Sequence, residues 1–219
     1  MPMLIAHRGS HRSEPENTLA AFSAAVRDGA DMVEFDVRRT RDGELVIFHD
    51  PEVARRAVPS LTHAELCELS ATPVPRLADV LAWARDVGVG CDVELKEDGY
   101  VAEVAELLSE AGGPLLVSSF LDPVLAQLAQ LAPELERGLL LSFTARGAVD
   151  RVRACGAGAA IIAMKLLEEA PVRELHAAGL GVLVWDFLPG RPGHAAWLTD
   201  PRIQAVITDD VPGTRALTA

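Results

Sequence analysis

The sequence predicts an α/β fold in which eight parallel strands and their connecting helices close into a (β/α)8 TIM barrel. Three observations support this prediction. Short apolar runs rich in β-branched residues alternate with segments of helical periodicity along most of the 219 residues. Polar side chains follow several of these runs, as they do at the carboxyl-terminal rim of such barrels. One connection is too short for a parallel crossover, so its second strand must be antiparallel and lie outside the barrel.

The amino-terminal segment contains a strand, a polar loop and a helix. The run Met3–Ala6 predicts the first strand. A polar loop then leads to a helix predicted over 18–28, whose apolar residues share one face. Asn17 or Thr18 can cap this helix, and Gly29 ends it.

A hairpin follows the first helix. Asp42-Gly43 is typical of a two-residue hairpin turn between the runs 32–41 and 44–49. With that turn, Asp36 lies directly opposite His49 on one face of the hairpin. A one-residue shift in the pairing would turn His49 to the other face. The second strand is therefore predicted as an extra antiparallel hairpin strand above the carboxyl-terminal rim of the barrel.

The remaining elements follow the alternation of a barrel. Residues 51–75 contain four prolines and are predicted to be irregular, apart from a short helix through Leu69 that starts at the capping-box pattern Thr62-x-x-Glu65. Further strands are predicted over 91–95, 115–118, 137–141, 159–163, 181–185 and 205–208. Helices are predicted over 76–87, 100–111, 122–132, 146–154, 171–178 and 192–199, with a last turn near Pro212.

Residues 1–219 show no linker and no second composition block, which predicts one domain. A doubly wound open sheet is the alternative fold, but the Gly-rich phosphate turn that it often carries is absent. No apolar run reaches the length of about 18 residues that a membrane span needs. No signal-peptide pattern precedes the first strand, so a cytoplasmic protein is expected.

The charge and the cysteines limit the partners. The chain has 20 basic and 32 acidic residues, a net charge of −12, which disfavours nucleic acid and stable membrane association. Cys67, Cys91 and Cys155 show no CxxC spacing and are expected to be small buried thiols in a reducing compartment. The sequence does not indicate an oligomeric state.

Three carboxylates are predicted to meet at neighbouring strand ends. Glu34 and Asp36 are two apart on one strand, so they share a face, and Glu94 ends another strand. Clustered carboxylates repel unless a positive charge is present, and a hard divalent cation such as Mg²⁺, Ca²⁺ or Mn²⁺ prefers oxygen ligands. The alternative is that they form salt bridges with nearby basic side chains: Arg38, Arg39 and Lys96.

Two histidines and two cations accompany the carboxylates. His7 and His49 lack cysteine partners and an HExxH pattern, which makes zinc unlikely, but they can act as general acid and base near neutral pH. A single histidine at a strand end is more often structural. Arg8 can hold a phosphate oxygen, and Lys96 adds a second positive charge. A serine hydrolase is disfavoured because Gly-x-Ser-x-Gly is absent.

A set of short motifs runs through nearly the whole chain in a fixed order. They are His7-Arg8-Gly9, Pro15-Glu16-Asn17-Thr18, Gly29-Ala30-Asp31, Glu34-x-Asp36-Val37, Thr40-x-Asp42-Gly43, His49-Asp50, Glu94-x-Lys96, Ser118-Ser119-Phe120, Trp185 and Ile207-Thr208-Asp209. The set resembles the glycerophosphodiester phosphodiesterase family. The resemblance implies a barrel enzyme of glycerol and lipid metabolism that hydrolyses a glycerophosphodiester to glycerol 3-phosphate and an alcohol.

The resemblance also implies the roles of individual residues. One divalent cation (Mg²⁺, Ca²⁺ or Mn²⁺) is expected on Glu34, Asp36 and Glu94. His7 and His49 are the expected catalytic pair, with the choice of acid and base open. The expected substrate-binding residues, for a small-molecule phosphodiester, are Arg8, Lys96, Phe120 and Trp185. The nucleophile is either water or the 2-hydroxyl of the substrate's glycerol.

Two departures from the family pattern bear on the substrate. Trp185 is followed by Asp186-Phe187-Leu188 where the family has Thr-x-Asn, and Arg56-Ala57 replaces a common pair of threonines. Two other functions stay open: a lysophospholipase D that uses the same site, and a silent barrel that only binds phosphates. Asp209 is expected to be structural, and the other histidines are expected at the surface: His11, His63, His176 and His194.

Overall fold

The computed structural model describes residues 1–12 and 14–217. Its strands are β1 (Met3–Ala6), β2 (Met32–Arg39), β3 (Leu45–Ile47), β4 (Glu52–Val53), β5 (Arg56–Ala57), β6 (Gly90–Leu95), β7 (Leu115–Ser119), β8 (Glu136–Leu141), β9 (Ala159–Ala163), β10 (Gly181–Phe187) and β11 (Ile203–Thr208). Its α-helices are α1 (Leu19–Arg27), α2 (His63–Leu69), α3 (Leu77–Val87), α4 (Val101–Ala111), α5 (Asp122–Leu131), α6 (Ala148–Ala154), α7 (Glu169–Ala177), α8 (His194–Trp197) and α9 (Val211–Ala216).

Eight parallel strands form a closed barrel. The sheet runs from β1 through β11, β10, β9, β8, β7 and β6 to β2, and β1 also pairs with β2, which closes the ring. β3 pairs antiparallel with β2 and stays outside the ring. The predicted (β/α)8 TIM barrel with an extra antiparallel hairpin strand is therefore confirmed. Across residues 1–12 and 14–217, no helix combines the length and apolar character of a membrane span.

Side-chain alternation along β2 explains how the barrel orients its polar residues. Val33, Phe35 and Val37 belong to the large core between the sheet and the helices. Because successive side chains of a strand point to opposite faces, Glu34 and Asp36 point into the barrel. The barrel interior is otherwise filled by a smaller apolar cluster: Ile5, Met32, Leu116, Leu140, Ala159, Ile161, Leu183, Ala205 and Ile207.

The predicted pairing of the β2–β3 hairpin was wrong by one residue. The structure pairs Val37 with Ile47, so Asp36 faces Phe48 and its carbonyl accepts the Phe48 N–H at 2.9 Å. A two-residue type I′ turn needs positive φ at both central residues. Gly43 has positive φ (+87°), but Asp42 does not. The turn is a three-residue loop in which a glycine bulge follows a tight turn.

Residues 51–75 are more ordered than predicted. β4 and β5 form a two-residue hairpin in which Ala54 and Arg55 both have positive φ. The capping box is confirmed, since Thr62 and Glu65 exchange hydrogen bonds between side chain and backbone at the start of α2. The small hairpin was not predicted from the sequence because neither Ala54 nor Arg55 is a residue type typical of such a turn.

The turn at Gly43 gives a stability prediction. Gly43→Ala should lower the free energy of unfolding by about 1 kcal/mol, because an added Cβ has free space but sits on left-handed backbone. Gly190 is the matched control, since a Cβ there also has free space but its φ is not positive. Urea denaturation of both variants measures the difference, and equal losses would contradict the turn assignment.

Candidate active site

Three buried carboxylates converge inside the barrel. The parallel register of β2 and β6 places Asp36 beside Glu94, and Glu34 lies two residues before Asp36. Their relative exposures are 2% for Glu34, 0% for Asp36 and 6% for Glu94. One oxygen from each lies within 4.8 Å of the others. Three carboxylates at this separation, shielded from water, repel one another strongly.

The pKa directions follow from burial and the neighbouring charges. Burial, then repulsion from Asp36 and Glu94, raises the pKa of Glu34 well above its ordinary value. Burial also raises the pKa of Glu94, against the attraction of Lys96. For Asp36 burial acts in the same direction, but Lys96 and Arg8 together bring its pKa below the ordinary value. The positive charges of Lys96 and Arg8 therefore act mainly on the Asp36 carboxylate. The negative charge of Glu34 is the least compensated of the three.

Lys96 and Arg8 supply that positive charge. The Lys96 Nζ lies 2.7 Å from Asp36 Oδ1 and 2.6 Å from Glu94 Oε1. The Arg8 Nε lies 3.3 Å from Asp36 Oδ2, and the Arg8 backbone N–H donates to Glu34 Oε2 at 2.9 Å. The salt-bridge alternative therefore applies to Lys96, whereas Arg38 binds the His49 carbonyl instead.

The loop after β1 is held against the carboxylates. The Asn17 amide donates to Asp36 Oδ2 at 2.8 Å, and the Arg8 guanidinium donates to Glu16 at 3.1 Å. Arg8 and Asn17 both have positive φ, which is uncommon for such residues. Glu16 and Asp36 thus hold the Arg8 guanidinium from two sides, and Asn17 ties the loop to Asp36.

The donor atoms fit a hard divalent cation. All three clustered residues offer carboxylate oxygens, the ligands that Mg²⁺, Ca²⁺ and Mn²⁺ prefer. The Glu34 Oε1 atom is buried and has no hydrogen-bond partner within the described residues. A buried carboxylate oxygen without a partner is costly, and a cation would supply one.

Each candidate catalytic histidine has a carboxylate partner at Nδ1. His7 Nδ1 lies 2.7 Å from Asp209 Oδ1, and His7 Nε2 lies 4.0 Å from Glu34 Oε2. His49 Nδ1 lies 2.8 Å from Asp50 Oδ1. A proton held on Nδ1 by the carboxylate leaves Nε2 as the atom of each ring that can exchange a proton.

A cavity of about 270 Å³ collects these groups. All of the predicted site residues except Asp36 line it, namely His7, Arg8, Glu34, His49, Glu94, Lys96, Phe120 and Trp185. Asp36 is held behind this surface by Lys96, Arg8 and Asn17. The predicted pairing of His49 with Asp36 was wrong, but His49 still lines the cavity. It lies beyond the end of the β2–β3 ladder, so the register of that ladder does not fix its side chain.

Phe120 and Trp185 form an aromatic wall at this cavity. Their ring centroids are 5.7 Å apart and the rings are nearly perpendicular, at 82°. The Trp185 indole N–H donates to the Leu141 carbonyl at 3.2 Å, which fixes the ring across the end of β8. Leu188, one of the departures from the family pattern that bear on the substrate, is not among the residues that line the cavity.

Three residues have closer contacts with the site than the sequence suggested. Asp209 was expected to be structural, but it contacts His7 directly. His11 was expected at the surface, but it is half-buried and its ring lies edge-on to His7, with centroids 6.1 Å apart. Asp92 was missed. It is fully buried, lines the cavity, and burial raises its pKa to about 7. Its position two residues before Glu94, on the same face of β6, was the available signal.

Comparisons with known proteins agree with this geometry. The sequence model of the glycerophosphoryl diester phosphodiesterase family matches residues 7–212. A glycerophosphodiester phosphodiesterase of Caldanaerobacter subterraneus is 32% identical over 162 residues, which cover 63% of this chain and 66% of that protein.

Two solved structures share the fold over nearly their full length. A phosphodiesterase from Oleispira antarctica, in complex with the product sn-glycerol-3-phosphate, is 29% identical with a TM-score of 0.86, and the match covers 100% of this chain and 97% of that one. A glycerophosphodiester phosphodiesterase from Agrobacterium tumefaciens is 26% identical with a TM-score of 0.83, and the match covers 99% of this chain and 100% of that one.

Proposed function

The chain belongs to the glycerophosphoryl diester phosphodiesterase family, and we propose that it hydrolyses small, water-soluble glycerophosphodiesters to glycerol 3-phosphate and an alcohol. One observation carries the proposal: a single cavity is lined by Glu34, Glu94, two cationic side chains and two histidines, with the third clustered carboxylate, Asp36, directly behind its surface. This combination provides the charge stabilisation and the proton transfers that cleavage of a phosphodiester requires.

In this proposal Glu34, Asp36 and Glu94 would hold one divalent cation, with Mg²⁺, Ca²⁺ and Mn²⁺ as candidates. When bound, such a cation supplies Lewis acidity at a phosphoryl oxygen. Lys96 contacts Asp36 and Glu94, so Glu34 depends most on the cation for compensation of its charge. Asn17 and Lys96 keep the Asp36 carboxylate in one orientation.

Arg8 and Lys96 bind and orient the phosphate in this proposal. Both side chains line the cavity, so both present positive charge to an anion that enters it. Hydrogen bonds to a phosphate from charged donors are short and strong, and they strengthen as charge builds up on the oxygens in the transition state. The formal charges of the three carboxylates, a divalent cation, both side chains and a phosphodiester cancel.

His7 and His49 move the protons. One accepts a proton at Nε2 from the nucleophile, which is water or the 2-hydroxyl of the substrate's glycerol. The other donates a proton to the oxygen of the departing alcohol. Attack by the 2-hydroxyl expels the alcohol and gives a cyclic phosphate, which water then opens to glycerol 3-phosphate. Asp209 and Asp50 hold the Nδ1 protons, so each ring exchanges its proton at Nε2. The ring that acts as base presents an unprotonated Nε2, and the ring that acts as acid is an imidazolium that presents Nε2–H. Which histidine is the base stays open.

The substrate preference is a testable part of the proposal. A cavity of about 270 Å³ offers room for a glycerophosphate and a small head group, whereas a fatty acyl chain would have to extend beyond it. We therefore expect a higher kcat/KM for glycerophosphoethanolamine or glycerophosphocholine than for a lysophospholipid below its micelle concentration. Product analysis by phosphorus NMR, with and without added cation, measures both reactions.

A lysophospholipase D is the second candidate, and one observation favours it. Phe143, in the loop after β8, is 94% exposed, and Phe120, in the loop after β7, lines the cavity and is 37% exposed, so apolar surface continues from the cavity wall onto this rim. A clear preference for the lysophospholipid, lost in Phe143→Ser, would overturn the proposal in favour of this candidate. No turnover of either substrate class with any of the three cations would favour the silent barrel. A cytoplasmic location is also proposed, in keeping with the three free cysteines. Cys91 and Cys155 are buried as predicted, whereas Cys67 is exposed, so the prediction was wrong for Cys67.

A further inference from the structure

Asp92 adds a fourth carboxylate to the barrel interior. The register of β2 and β6 pairs Glu34 with Asp92 and Asp36 with Glu94. Alternate positions on these two neighbouring strands therefore bring four carboxylates to one face, in two adjacent rows. Asp92 is 0% exposed and lines the active-site cavity, in the row nearer the amino-terminal end of the strands.

The Asp92 carboxylate lacks a partner. Neither of its oxygens makes a hydrogen bond in the part of the chain that the structure describes, and the Glu34 Oε1 atom in the same row is also unpartnered. The Ser118 hydroxyl lines the same cavity and lowers the pKa of Asp92, but burial outweighs it and the pKa stays raised. A buried carboxylate without donors destabilises a fold. These orphaned oxygens therefore point to a donor that enters the cavity.

Asp92 is not placed to be a direct ligand of the proposed cation. The oxygens that lie within 4.8 Å of one another come from Glu34, Asp36 and Glu94, and Asp92 is outside that group. Water bound to a cation is a strong hydrogen-bond donor, and a buried water needs two or more polar partners. Asp92 and Glu34 Oε1 offer such acceptors from adjacent strands.

We propose that Asp92 is a positioning residue for the divalent cation: its carboxylate accepts a hydrogen bond from a water bound to that cation. This rests on the proposed function, because it takes the cation site of Glu34, Asp36 and Glu94 as its premise. Residues that hydrogen-bond to a metal's ligands or to its bound water, without touching the metal, commonly contribute about tenfold or more to metal affinity. Asp92 therefore belongs to the machinery that holds the cation, although it does not touch the reacting atoms.

The test is calorimetric titration of the metal-free full-length chain with Ca²⁺ and, separately, with Mg²⁺. We expect Asp92→Asn, which keeps the shape but loses the charge, to bind the cation at least about tenfold more weakly. Asp86→Asn is the matched control, since it removes the same charge from an exposed site on α3 and should leave affinity unchanged. Asp92→Ser, read in the same titration, provides a second variant should Asp92→Asn fail to fold.

A purely structural Asp92 gives a different result. Removing an unpartnered buried carboxylate should raise the thermal midpoint of the metal-free protein in either case, so stability alone does not decide. Wild-type affinity in a folded Asp92→Asn or Asp92→Ser, while the wild-type chain binds the cation, would overturn this inference and leave the proposed function intact. Failure of the wild-type chain to bind either cation would instead overturn the cation site itself.

Discussion

Glu34→Gln should abolish divalent-cation binding and reduce phosphodiesterase turnover to background. Glu34 is 2% exposed and is the carboxylate whose charge is least compensated by Lys96 and Arg8. Glutamine keeps the shape but removes the charge that attracts the cation. Calorimetric titration with Mg²⁺, Ca²⁺ or Mn²⁺, together with a glycerophosphodiester assay, measures both effects. Glu136→Gln, at the exposed start of β8, is the matched control and should change neither.

The same prediction extends to the chelated enzyme. Excess EDTA should stop turnover of the wild-type protein, and addition of Mg²⁺, Mn²⁺ or Ca²⁺ should restore it. Full activity of a demonstrably metal-free chain would rule out the proposed role of the three carboxylates. If Glu34→Gln kept its activity and bound the cation normally, Glu34 would not be a ligand of the cation, and the assignment of the other two carboxylates would be unaffected.

The pH dependence of the metal-free protein gives an independent reading of Glu34. Burial and its carboxylate neighbours raise the folded-state pKa of Glu34 above its unfolded value. A raised folded pKa contributes stability that is present below the unfolded pKa and is lost as the pH rises through the folded pKa. Metal-free wild type should therefore lose more stability than Glu34→Gln as the pH is raised, and thermal unfolding across pH measures this. Parallel curves for the two proteins would contradict the buried, uncompensated state of Glu34.

The barrel could be predicted because its signal is repeated. Each βα unit carries its own apolar run and its own amphipathic helix, so an error at one boundary does not change the fold. The placement of Glu34 and Asp36 inside the barrel required only the two-residue period of a strand. The same period places Asp92 on the face of Glu94, two residues before it. Without the structure, however, no neighbouring residue in the sequence indicated that this carboxylate lines the cavity.

The hairpin register could not be predicted from the turn residues. Asp42-Gly43 suits a two-residue loop, and a glycine also suits the last position of a three-residue loop. The two loops differ by one residue in pairing, and the choice depends on Thr40 and Glu44, whose backbone and side-chain bonds close the longer loop. The contact of His7 with Asp209 joins positions at opposite ends of the sequence, so no local pattern reports it.

His7→Ala and His49→Ala should each reduce turnover by about 10²–10⁴-fold, the usual contribution of general acid–base catalysis. Cation affinity should stay close to that of the wild type, because neither imidazole belongs to the three-carboxylate cluster. His176→Ala, on the exposed surface of α7, is the matched control. Single-turnover kinetics and calorimetry on the same preparations separate a loss of chemistry from a loss of the cation.

Asp209→Asn tests the same assignment without removing an imidazole. The amide can no longer hold the Nδ1 proton as the carboxylate does at 2.7 Å, so His7 loses its preference for the tautomer that presents Nε2. Turnover should fall, by less than in His7→Ala, and its pH profile should change while KM and cation affinity change little. In a double variant with His7→Ala, the Asp209 substitution should have almost no further effect, since both act through one ring. Additive losses would show that Asp209 acts elsewhere, and near wild-type turnover in either histidine variant would make that histidine structural.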